Sequence, residues 1–281
     1  MTVASLRVAA LLYAVAAGLY VFHFVRPRHA RAASVGQGVL TAAFLVHAVS
    51  IGIGCSEFGG AEFFNLRGGF GMAGWLAAGA LLLLLRFQPL PSVAAFVLPL
   101  VLLALVPGVA GRVGGHAGAL PEVLRQPTTT LHITVAFVSV ALFAIAFGIA
   151  LMYLLQEREV KGKRFGALFS RLPALDALDR LTQRLVRAGL LVWSVALVTG
   201  MFVAEKAWGR PWDPQLLFAV VVWALYFGLV WMRHQGIHGR RYALLTVVGF
   251  AIIVGSMVGL KVVPDITQHQ GDFLRRQEAI R

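Results

Sequence analysis

Eight stretches of this chain are apolar over the length needed to cross about 30 Å of hydrocarbon, roughly 17–25 residues at 1.5 Å per residue. They run over Leu6–Val25, Val39–Gly54, Gly69–Leu85, Leu90–Val109, Thr130–Leu155, Ala188–Ala204, Gln215–Met232 and Tyr242–Val263. A chain that is 59% hydrophobic and only 13% charged cannot cover a soluble globule with polar surface. The expected fold is therefore all-α: a polytopic integral membrane protein of about eight transmembrane helices, one transmembrane domain over residues 1–281, with the lipid bilayer as its first partner. Only Arg86-Phe87-Gln88-Pro89 separates the third and fourth runs, which predicts a tight helical hairpin. No internal repeat stands out, so the inverted-repeat logic of transporters has no foothold.

The basic residues choose an orientation. Residues 1–30 have the look of a signal peptide, but Arg26, Arg28 and Arg31 follow the apolar run. That charge order holds the following loop in the cytoplasm, so the run is read as a retained first helix. Of the 25 lysines and arginines, fifteen lie in loops after odd-numbered helices, from Arg26 through Arg158, Lys161 and Arg187 to Arg241. The positive-inside rule puts those loops in the cytoplasm and both termini outside. The net charge of +13 is spread over these loops, which argues for membrane topology and against nucleic acid. Cys55 is the sole cysteine, so an internal disulfide, a CxxC redox pair and covalent haem attachment through CxxCH are all excluded.

Three connections have a character of their own. Gly108–Pro127 is rich in glycine and predicts a mobile external flap. Gln156–Arg187 carries Leu172, Leu175, Leu178, Leu181 and Leu185 among charged residues. This pattern predicts an amphipathic helix lying on the inner leaflet before the sixth span, with docking of a cytoplasmic partner as the sharper alternative. The third is Glu205-Lys-Ala-Trp-Gly-Arg-Pro-Trp-Asp-Pro214, a short external loop unusually dense in aromatic and charged residues.

His47 lies deep within the second run, and ionisable groups there usually face a partner, a cavity or a cofactor. His132 opens the fifth run behind Thr128, Thr129 and Thr130, which could cap that helix. Both histidines fall in the outer half of the membrane, on the side of the tryptophan loop. Neutral imidazole is a standard axial ligand for haem iron, so the pair is a candidate haem-iron ligand set; packing and interfacial hydrogen bonding are the plain alternatives. Trp208 and Trp212 equally suit an aromatic belt, and Asp213-Pro214 suits a helix cap followed by a first-turn proline. His23, His29, His234 and His238 read as solvated residues, His116 lies in the flap, and His269 lies in the carboxy-terminal tail.

The order of His47, Gly60-Ala-Glu-Phe-Phe-Asn65, Leu131-His132, Leu151–Glu157, Trp208-Gly209, Trp212-Asp213-Pro214 and Gly239-Arg240-Arg241 resembles the cytochrome c assembly family. That family comprises CcsA/ResC-type proteins and their shorter HemX- and YpjD-like relatives. The resemblance implies a haem-binding platform formed by Trp208, Gly209, Trp212 and Asp213, with His47 and His132 as iron ligands, in a bacterial inner (cytoplasmic) membrane. Arg210-Pro211 stands where the fuller motif has further aromatics, which favours the shorter relatives. The implied function is haem handling in cytochrome c biogenesis, with a larger assembly protein as partner. The alternative is a HemX-like regulator of glutamyl-tRNA reductase level acting through a cytoplasmic haem-synthesis enzyme. With no buried carboxylate, nucleophile–base pair or phosphate loop, the chain is not expected to be an enzyme.

Overall fold

A computed structural model describes residues 2–58, 66–110, 126–163, 166, 169–208 and 214–262. They form eight helices: α1 (Thr2–Val25), α2 (Ala30–Phe58), α3 (Leu66–Phe87), α4 (Pro91–Ala110), α5 (Pro127–Lys161), α6 (Leu175–Trp208), α7 (Pro214–His234) and α8 (Arg240–Val262). All eight are long and apolar enough to cross a membrane, as the sequence predicts. The tight α3–α4 hairpin is present, with Gln88 and Leu90 closing it through backbone hydrogen bonds.

Helix α5 is the axis of the bundle. It packs against α3, α4, α6 and α8, and 61% of its span is buried, against 17–39% for the other seven. One apolar cluster on its flank joins α1–α4 through Tyr13, Tyr20, Leu40, Leu81 and Leu98 to Ile145 and Ile149. The other joins α6, α7 and α8 through Val186, Tyr226, Tyr242 and Ile253 to Phe143. Away from these clusters Leu191, Val195, Val198 and Phe202 recur along α6 and are exposed, as a lipid-facing stripe should be.

The α5–α6 pair is the most extensive in the molecule, and small residues set its closeness. A Cβ on Gly189 would come within 2.6 Å of the Phe143 ring, so glycine lets the two helices meet there. Ser139 donates to the Gly189 carbonyl at 2.7 Å.

Two expectations need correction. The leucine-rich segment is not a separate helix on the inner leaflet, because α6 is continuous from Leu175 to Trp208. Leu178 is fully buried, and Leu172, Leu175, Leu181 and Leu185 join the protein core, so that apolar face is covered by protein and not by lipid. At 34 residues α6 spans about 51 Å, well beyond the hydrocarbon thickness, and its charged first turns project past the membrane. The threonines do not cap α5 either. Gln126 is the N-cap, without a side-chain cap bond, and Pro127 occupies the first turn, where its missing N–H costs nothing.

A polar knot ties the basic ends of α6, α7 and α8. Asp179 of α6 binds Arg233 of α7 at 2.6 Å, with the two side chains only 12% and 15% exposed. Its other oxygen accepts from the Gly239 amide at 3.2 Å. Gly239 has φ of +70°, and a Cβ there would lie 2.9 Å from the Tyr153 hydroxyl. Glycine at the head of Gly239-Arg240-Arg241 is therefore a requirement of the turn.

Candidate functional site

His132 sits on the first turns of α5, half-buried against α6. Its Nδ1 lies 2.9 Å from the Ala196 carbonyl and 3.4 Å from the Thr199 hydroxyl. A carbonyl can only accept, so Nδ1 carries the proton and the neutral ring presents its Nε2 lone pair. A hydrogen bond from one ring nitrogen to a carbonyl is how proteins orient an imidazole that ligates metal through the other. This bond and the Ser139–Gly189 bond lie one heptad apart on both helices, so one antiparallel register fixes both.

Gly200, one turn beyond Ala196, completes the cradle. A Cβ there would fall 2.7 Å from His132 Cε1 and 3.4 Å from Nε2. The Gly200→Ala protein is expected to fold, because the ring can swing away, but with the imidazole displaced from Ala196. Any ligand that needs Nε2 in place should bind about tenfold more weakly, while thermal unfolding moves little. Equal affinity in the variant would show that this contact does not position the ring.

His47 is held differently. It is 1% exposed, with its Nδ1 buried and unpartnered among the described residues. The Tyr13 ring meets it edge-on at 5.9 Å, and its Nε2 faces Gly71 of α3. Tyr13 is fully buried, and its hydroxyl likewise finds no partner among the described residues. An orphaned nitrogen at membrane depth is costly, so the residue fits a site that receives a polar or metal-bearing ligand. The two imidazoles nevertheless have different neighbours: α1 and α3 for His47, α6 for His132.

An apolar cavity of about 170 Å³ lies between α2, α3 and α5, lined by Phe44, Trp75, Gly79, Val138 and Ala141 among others. Phe44 and Trp75 stack on its wall at 4.9 Å, and the Trp75 indole donates to the Phe44 carbonyl at 3.1 Å. Sites for sizeable ligands usually measure about 300–1,000 Å³, so this cavity is too small to take a whole porphyrin. His132 lies toward the end of the bundle opposite the Asp179–Arg233 pair.

That end is where α6 leads. From Gly200 the helix rises for about 12 Å to its last residue, Trp208. The Trp208 side chain, Gly209, Trp212 and Asp213 lie outside the described residues, as do Gly60–Asn65, most of the glycine-rich flap and His269. Pro214 begins α7, the place expected of it. Among the described residues no group of three or more His, Cys, Asp or Glu side chains could hold a bare metal ion.

Sequence reasoning passed over Tyr13, Ala196 and Gly200. Gly189, Ala196 and Gly200 leave one signal, a row of small residues on one face of the sixth span, which marks where a neighbouring helix comes close. Nothing in the sequence ties that row to His132.

Fold and site together define a multi-pass helical membrane protein with an oriented imidazole near one end of its bundle. Comparison with known proteins makes this specific. The family model described as "Cytochrome C assembly protein" matches residues 5–266. The chain therefore belongs to the cytochrome c assembly protein family and has a haem-related role in cytochrome c biogenesis. It is 28% identical to the cytochrome c biogenesis protein CcsA of Parasynechococcus marenigrum (strain WH8102) over 234 residues, 71% of this chain and 74% of that one. It is 27% identical to CcsA of Synechococcus sp. (strain CC9605), over 66% of this chain and 70% of that protein. Protein HemX of Brevibacillus brevis is 28% identical over 119 residues, 42% of this chain and 44% of HemX.

Proposed function

We propose that the protein holds haem at its external end during cytochrome c assembly, with His132 Nε2 as an iron ligand. The observation that carries this reading is the Nδ1–Ala196 hydrogen bond, which fixes the tautomer and aims the free nitrogen. Haem, when bound, would supply an iron that accepts an imidazole nitrogen and a flat apolar face suited to indoles. In this reading Trp208 and Trp212 would cover that face, with Gly209 and Asp213 next to them in the sequence. His47, with its orphaned Nδ1, is the second candidate ligand. The role is binding and presentation in a bacterial cytoplasmic membrane, with covalent attachment left to a larger assembly partner.

Protein purified in detergent from haem-replete cells should show a Soret band, and replacing Trp208 and Trp212 together by Ala should reduce haem per chain several-fold. Stacking of flat rings on aromatic side chains contributes about 0.5–1.5 kcal/mol per pair beyond area burial. A well-folded preparation free of haem, or a double variant with undiminished haem, argues against the reading.

The HemX match supports a second reading, in which the protein controls haem synthesis through a cytoplasmic enzyme. It requires an accessible surface on the projecting turns of α6, where Asp176 and Arg180 form an exposed ion pair. In that case His132→Ala and His47→Ala leave glutamyl-tRNA reductase level under control, and substitutions on those turns release it.

A further inference from the structure

At the basic end of the bundle, hydrogen-bond donors outnumber the acceptors that face them. Arg233 uses Nη2 on Asp179 at 2.6 Å. With the Gln183 amide turned so that its oxygen faces the guanidiniums, Arg233 Nε donates to it at 3.3 Å and Arg187 Nη2 donates to it at 2.8 Å. Arg233 Nη1 remains buried with no partner among the described residues. The hydroxyl of Tyr242 is in the same position, on a side chain only 1% exposed. Arg233 lies 5.7 Å from the Tyr242 ring centroid, and the hydroxyl is within electrostatic reach of Arg233 and Arg187 and, more weakly, of Asp179.

Charge is unbalanced in the same way. Two guanidiniums share one neutral oxygen, Asp179 serves Arg233, and Arg187 has no carboxylate partner among the described residues. Asp179 offsets one of the two charges, and beside a low-dielectric interior the second guanidinium still repels the first. A single water would satisfy a donor but leave that repulsion standing. A group with several oxygens and a negative charge answers both deficits.

The surroundings indicate where such a group comes from. Arg187 begins the exposed stripe of α6, with Leu191, Val195, Val198 and Phe202 following at 3–4-residue steps and 52–70% exposed. Trp231, two residues before Arg233, is 58% exposed, a place that suits an indole at the lipid interface. Arg233 lies at the end of one span and Tyr242 near the start of the next, which is headgroup depth. We propose that Arg187, Arg233 and Tyr242 bind the phosphodiester of an anionic membrane lipid, whose acyl chain lies along the Leu191–Phe202 stripe. The site ties α6, α7 and α8 together from the lipid side and is independent of any haem at the opposite end.

The test is native mass spectrometry of the full chain in detergent, titrated separately with phosphatidylglycerol, phosphatidylcholine and inorganic phosphate. Phosphatidylglycerol is expected to bind about tenfold more tightly than phosphatidylcholine, because only the latter sets a choline cation against the arginines. Arg187→Gln and Tyr242→Phe should each weaken phosphatidylglycerol by about tenfold. Tyr242→Phe should leave the lipid-free melting temperature unchanged, since its hydroxyl has no partner among the described residues to lose, and Arg187→Gln should lower it little, since Arg187 is exposed and its one bond here is to a neutral amide. The proposal is overturned if phosphatidylcholine binds equally well or if both variants keep full affinity. It also falls if inorganic phosphate alone binds as tightly as the lipid, because the acyl track would then contribute nothing.

Discussion

The His132→Ala protein, purified from haem-replete cells, is expected to carry at least about tenfold less haem per chain than its parent, with an unchanged melting profile. The ring is half-buried and bonded to a backbone carbonyl, so its removal frees the Ala196 oxygen, which the α6 ladder still satisfies. The Ser139–Gly189 bond and the Phe143–Gly189 contact continue to hold α5 against α6. Loss of the Soret band with retained fold thus reports on ligation and not on assembly of the bundle. An undiminished Soret band would remove His132 from the iron and leave His47 as the residue to test.

Asp179→Ala should have the largest effect on stability of any single change at the basic end. The carboxylate holds both Arg233 and the Gly239 amide, in a place where the ion pair is almost fully covered. Removing one member of a covered pair leaves the other charge uncompensated, at a cost of about 3–5 kcal/mol. Thermal unfolding in detergent and yield from membranes are the measurements. The double change Asp179→Ala with Arg233→Met should recover much of the loss, since a pair replaced by apolar side chains no longer strands a charge. The exposed Asp176–Arg180 pair on the same helix provides the control; breaking it should cost no more than about 1 kcal/mol. Similar losses at both positions would show that burial of Asp179 adds nothing.

How much of this was legible in the sequence depends on the range of the interaction. Eight spans and the α3–α4 hairpin follow from runs of apolar residues, which are local, and the structure has them. The start of α6 was legible as a helix but not as part of the sixth span, because Asp176, Asp179, Arg180 and Arg184 interrupt any run scored by apolar length. They are instead the projecting turns of a helix whose leucines are covered by the bundle. The contact of Asp179 with Arg233 spans 54 positions of sequence, and that of His132 with Ala196 spans 64. Neither partner is marked by residue type, since arginines abound and alanine is among the commonest residues here. His132 could be singled out by its chemistry, but its acceptor, a main-chain oxygen, could not. The tryptophan segment is the reverse case, conspicuous in the sequence: α6 takes in residues 205–208, contrary to a loop there, and residues 209–213 lie outside the described ones.

The acceptor that fixes His132 belongs to the backbone, so residue identity at position 196 does not encode the tautomer. Helix phase encodes it. Any small side chain at 196 leaves the carbonyl in place, whereas one residue inserted between Gly189 and Ala196 would turn the rest of α6 by about 100°. The imidazole would then face side chains in place of the carbonyl, while composition and hydropathy would barely register the change. The seven-residue step from Gly189 to Ala196, matched by the step from His132 to Ser139, is thus what holds the ring in place, and the presence of the histidine alone does not convey it.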